Sequence, residues 1–103
     1  MLASPQRIAL PRGAIDAFCR KWDVSELALF GSVLREDFSP QSDVDVLVAF
    51  EPGARRSLFD LVEMRDELAE LFGREVDLVS QAGLRNPFRR HEILTTRKVL
   101  YAA

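Results

Sequence analysis

A chain of 103 residues, 48% of them hydrophobic and 29% charged, is long enough for one domain with its own core, spanning 1–103, and too short for a second. The composition excludes a disordered chain, and a formal net charge of −2 gives no broad basic field, so a template-reading polymerase or other direct binder of nucleic acid is not expected. The single cysteine, Cys19, excludes an internal disulfide, no apolar run reaches the length of a membrane span, and a start broken by Pro5 and Pro11 lacks the long apolar stretch of a signal peptide; the expected location is cytoplasmic.

After an extended lead, Gly13 to Trp22 carries Ile15, Phe18, Cys19 and Trp22 at the i, i+3, i+4, i+7 spacing of an amphipathic helix. Cys19 and Trp22 read as core residues of that helix, which is expected to cover one face of a sheet. Glu26 to Phe30 reads as the first strand, and Val33 to Glu36 as a helical turn after Gly31-Ser32. A loop from Glu36 to Ser42, containing Pro40, then leads into a second strand from Asp43 to Phe50. That strand is apolar on both faces beyond its aspartates, as expected of a central strand covered on both sides.

Ser57 and Asp60 resemble a capping box, and a helix is predicted from there to Phe72, with Leu61, Met64, Leu68, Leu71 and Phe72 on its buried stripe and Gly73 as its stop. Its acidic residues Glu63, Asp66, Glu67 and Glu70 read as a solvated face. Arg74 to Ser80 reads as a third strand. Asn86-Pro87 signals the start of a helix running to about Arg97, and Val99 to Tyr101 a short extended end. The only histidine, His91, lacks a second ligand nearby and reads as a helix-surface or partner-contact residue.

Charge is uneven along the chain. Residues 1–80 hold 9 Lys+Arg and 15 Asp+Glu, whereas 81–103 hold 5 basic residues and Glu92 alone. The basic tail, Arg85, Arg89, Arg90, Arg97 and Lys98, suits a triphosphate or an acidic partner surface, and equally a solvated helix face.

The chemistry concentrates between the first two strands, where Gly31-Ser32 and Asp43-x-Asp45 are separated by the ten residues Val33 to Ser42. Positions i and i+2 of a strand share a face, so Asp43 and Asp45 point the same way. Two carboxylates side by side at the end of a buried strand repel each other unless a cation lies between them. Hard oxygen ligands suit magnesium, or manganese, which share their remaining positions with substrate phosphates. Glycine allows close backbone approach to a ligand, and serine at a helix start offers a hydroxyl beside free amides that attract phosphate. The substrate expected is a nucleoside triphosphate, its terminal phosphates on Gly31 and Ser32 and its metals on Asp43 and Asp45. Asp77, on the third strand, reaches the same metals if the strands are adjacent; otherwise it is a surface aspartate on an edge strand.

These residues, GS-x10-DxD, resemble the signature of the DNA polymerase beta-like nucleotidyltransferase superfamily. More narrowly, FGSVLREDFSPQSDVDVLVAFEPG resembles the minimal nucleotidyltransferase (MNT) antitoxins of HEPN/MNT toxin-antitoxin pairs, and the likeness extends from about Leu27 to Tyr101. One departure is Glu36, where many members carry a glycine after the arginine matching Arg35. The resemblance implies an α/β (α+β) nucleotidyltransferase fold, a small mixed sheet flanked by helices, with two magnesium ions and a third acidic ligand at Asp77. It also implies ATP as substrate and a hetero-oligomer with a HEPN-domain ribonuclease toxin, neutralised by transfer of AMP to a tyrosine. Two rival functions are an antitoxin that occludes its toxin without chemistry and a transferase acting on a small molecule. Nothing in 103 residues reads as a second-substrate pocket, so a partner is expected to supply the acceptor.

Overall fold

The computed structural model describes residues 11–34 and 42–103; the N-terminal lead before Pro11 and the predicted loop, apart from Ser42, lie outside the described residues. In chain order the elements are helix α1 (Arg12–Lys21), strands β1 (Val24–Phe30) and β2 (Val44–Phe50), helix α2 (Leu58–Phe72), strand β3 (Val76–Ser80), helix α3 (Pro87–Thr96) and strand β4 (Lys98–Ala102). The strands form one mixed sheet ordered β3-β2-β1-β4. β1 runs antiparallel to both β2 and β4, and β2 runs parallel to β3.

Alternation along the strands explains the layers. Val44, Val46 and Val48 of β2 join Leu27 and Leu29 of β1, Ile15, Phe18 and Cys19 of α1, and Met64, Leu68 and Phe72 of α2 in one large core. The opposite pleat, Ala28, Phe30 and Leu47, packs against Leu84 and Ile93 in a smaller core under α3. β2 is therefore covered on both faces, as its composition requires. Cys19 is fully buried, and burial followed by the nearby charge of Asp16 pushes its thiol up to about 12. It packs as a small apolar side chain rather than a nucleophile.

The caps sit where the sequence signals them. Ser57 Oγ accepts from the Asp60 amide at 3.1 Å while an Asp60 oxygen accepts from the Ser57 amide at 3.0 Å, closing the capping box of α2. Asn86 Oδ1 accepts from the amides of Phe88 and Arg89 at 2.9 and 3.1 Å, with Pro87 at the first position of α3. Gly73, at φ +68, ends α2.

The structure corrects several boundaries and one role. β1 starts two residues before the predicted strand, with a register irregularity between Val24 and Glu26, and β3 starts two residues later, at Val76. The short extended end is a full edge strand, β4, because β1 still has an unpaired edge to satisfy. Glu67 is not merely solvated: it accepts from the Trp22 indole N–H at 3.2 Å and from Lys21 Nζ at 2.7 Å, binding α2 to the end of α1. No helix of the described residues is long and apolar enough to cross a membrane.

Candidate functional site

The site forms where β1 ends and β2 begins. Phe30, the last residue of β1, pairs across the ladder with Asp45, and the chain leaves the sheet at Gly31. Gly31 adopts φ +74, and a Cβ built there would lie 2.4 Å from Asp45 Oδ2. Glycine is required twice, by the left-handed backbone and by the carboxylate lying against it. The next amide, that of Ser32, donates a hydrogen bond to the Asp45 carboxylate. Gly31 and Ser32 thus hold an aspartate in place. The helical turn predicted from Val33 is, among the described residues, a 3-10 turn over Gly31–Leu34; its continuation through Arg35 and Glu36 lies outside the described residues.

Asp45 stands at the centre of three carboxylates. It is the register partner of Asp77 on the parallel β3, and Asp43 precedes it on the same pleat, exposed, one residue before β2. The two strand starts are tied by the Val44 amide donating to Glu75 O at 2.9 Å and by Arg74 Nη2 donating to Ser42 O. This makes Asp77 the neighbour of Asp45 that the sequence left open. Burial, then the charge of Asp77, and more weakly that of Asp43, raise the Asp45 carboxyl above its ordinary range, opposed by the Ser32 amide and the charge of Arg89.

Asp45 faces a cleft of about 450 Å³, walled on one side by Phe30, Gly31, Ser32 and Leu34 and on the other by Arg89, Glu92, Ile93 and Thr96 of α3. Asp43 and Asp77 face a second depression, of about 430 Å³, shared with Arg65, Asp66 and Glu75. The three aspartates therefore stand between two hollows, a geometry that can present one molecule to another across the carboxylates.

No group of three or more His, Cys, Asp or Glu among the described residues is gathered as a metal cage. The donors nonetheless fit a hard divalent cation, which binds through one or two carboxylates and completes its shell with water and substrate phosphates. Asp45 also carries the mark of such a site: like charges crowd it more than the neighbouring cation relieves.

The basic tail divides by role. Arg97 pairs with Glu26, and Arg90 Nη1 donates to Gln81 O at 3.1 Å, so both serve the fold. Arg85 and Lys98 are exposed and line neither hollow. Arg89 alone of the five lines the cleft. The signal was present in the 89/92/93/96 spacing, which places these residues on one face of α3 after the Asn86-Pro87 cap, but without the tertiary position of α3 nothing separated Arg89 from the rest of the tail. His91 is exposed on α3, outside the cleft lining.

Comparison with known proteins gives concordant results. A profile described as "Nucleotidyltransferase domain" matches residues 12–100. The protein adenylyltransferase MntA of Thermococcus cleftensis is 35% identical over 81 residues, covering 79% of this chain and 77% of the relative. A chain in the crystal structure of a toxin-antitoxin with AMP-PNP superposes with a TM-score of 0.72 at 22% identity, over 91% of this chain and 75% of that one. A chain in the structure of the tri-AMPylated Shewanella oneidensis HEPN toxin with its MNT antitoxin gives 0.64 at 19% identity, over 98% and 74%. At those identities the two structures establish the likeness of fold.

Proposed function

The chain belongs to the nucleotidyltransferase domain family, beside the MntA protein adenylyltransferases, and on that premise we propose that it is an antitoxin that transfers AMP from ATP to a tyrosine of a HEPN ribonuclease toxin. The observation that carries the reading is the junction of Gly31, Ser32 and Asp45, with Asp43 and Asp77 beside it, between two open hollows. The ATP analogue in one related fold and the AMPylated HEPN toxin beside another support the substrate and the partner.

Each residue then has a task. Gly31 and the hydroxyl of Ser32 admit and hold the terminal phosphates, while the Ser32 amide keeps Asp45 in place. Asp43 and Asp45 would hold magnesium, with Asp77 adding its charge from the adjoining strand. When bound, the ions supply positive charge against the attacking and leaving oxygens. The tyrosine oxygen attacks the α-phosphorus in line, the bond to the β-bridging oxygen breaks, and pyrophosphate leaves. Asp77, exposed and facing the second hollow, takes the phenolic proton. The acceptor is supplied by the partner from the side of the second hollow, which Asp43 and Asp77 line.

The test is direct. With ATP, magnesium and a HEPN-domain protein from its gene neighbourhood, this protein is expected to add adenylate increments to that partner, mapped by mass spectrometry to tyrosine. The Asp43→Asn/Asp45→Asn double variant is expected to add none. Transfer by the double variant at the parental rate overturns the assignment of the site.

A further inference from the structure

We infer that Arg89 is the protein's own cationic contact to the triphosphate, gripping it from the α3 wall of the cleft opposite Ser32; this rests on the nucleotidyltransferase reading. Two observations converge on it. Arg89 lines the same cleft as Gly31, Ser32 and Asp45, and among the described residues no other lysine or arginine does so. Among the described residues its guanidinium has no ion pair or hydrogen-bonded partner, whereas Arg90 and Arg97 are committed to Gln81 and Glu26.

A guanidinium that lines one cleft with a carboxylate, yet is not paired with it, keeps its donors for a third group. That group must be anionic and must fit between α3 and the turn at Gly31–Leu34. A triphosphate meets both conditions, and its charge would otherwise face Asp45 in the same cleft. The guanidinium fork matches phosphate oxygens in pairs, which an ammonium cannot do. Glu92, one turn along α3 in the same wall, opposes stray anions that bring no cation with them. Arg89 thereby makes the cleft selective for the phosphate chain, leaving the base and sugar to other contacts.

The experiment is calorimetric titration of the full chain, with magnesium, using ATP, AMP and adenosine against the parent, Arg89→Gln, Arg89→Lys and the exposed control Arg85→Gln. ATP affinity is expected to fall about 10- to 100-fold in Arg89→Gln, the scale of a lost charge-assisted hydrogen bond. Arg89→Lys should fall between parent and Arg89→Gln, adenosine binding should be equal in all, and Arg85→Gln should match the parent. Melting temperatures of the four proteins, equal for these exposed positions, separate a binding defect from a folding one. If the parent binds ATP and Arg89→Gln binds it equally well, the inference is wrong while the nucleotidyltransferase reading stands. An equal proportional loss for ATP and adenosine also overturns it, showing damage to the cleft rather than a lost phosphate contact. A parent that binds no ATP overturns both.

Discussion

Gly31 and Asp45 occupy each other's space: a Cβ on the first would meet Oδ2 of the second at 2.4 Å. The partner is a ladder neighbour of Phe30, so neither side can withdraw without opening the junction of β1 and β2. Gly31→Ala should therefore act twice. A left-handed φ costs a non-glycine residue about 1–2 kcal/mol, and displacing Asp45 by even an ångström can lower turnover by about 10²-fold. Urea unfolding and adenylate transfer measured on the same preparation check this; a variant that keeps parental turnover would show that the close approach has no role in the chemistry.

The crowding of Asp45 gives an opposite pair of effects. Asp43→Asn and Asp45→Asn should each lower turnover by about 10²–10³-fold, the scale of losing one electrostatic stabiliser. Stability should move the other way for Asp45. Its carboxyl is raised above the ordinary 3.8, first by burial and then by Asp77, so the fold disfavours its ionised form. Its favourable contribution is full below 3.8 and is lost as pH rises through the folded value. With divalent ions chelated, Asp45→Asn should unfold at higher urea than the parent at pH 7, the gap closing as pH falls towards 3.8. A less stable Asp45→Asn at pH 7 would contradict the electrostatic account of this residue.

Glu67 offers a test away from the site. Because it accepts from both Trp22 Nε1 and Lys21 Nζ, Glu67→Ala should cost about 1–2 kcal/mol, leaving the buried edge of the indole without its acceptor. Glu63→Ala on the exposed face of the same helix should stay within about 0.5 kcal/mol of the parent. Equal urea midpoints for the two variants would return Glu67 to the solvated face that periodicity alone assigns it.

Local rules made most of the architecture legible. The capping box at Ser57, the cap at Asn86-Pro87 and the double-sided apolar run of β2 each state their element in a few neighbouring residues. β4 was only partly legible, as an extended end, because its partner β1 is about 70 positions away and a short edge strand has no periodicity of its own. The same limit applied to Asp77: its chemistry was readable, but its place beside Asp45 depends on the parallel register of β2 and β3. Arg89 was visible only as one of five cations, since its distinction is the wall it stands on. The Ser32 amide shows the converse, for the motif identified the residue but only the folded turn revealed that its N–H serves Asp45.

The central claim, that neutralisation of a partner is chemical, is tested most directly by the ribonuclease activity of the HEPN protein after incubation with ATP, magnesium and either the parent or the Asp43→Asn/Asp45→Asn double variant. The parent should silence the ribonuclease in step with adenylate addition, and the double variant should leave it active. Equal silencing by the double variant, with no change in the mass of the partner, would mean that binding alone neutralises it and would contradict the account.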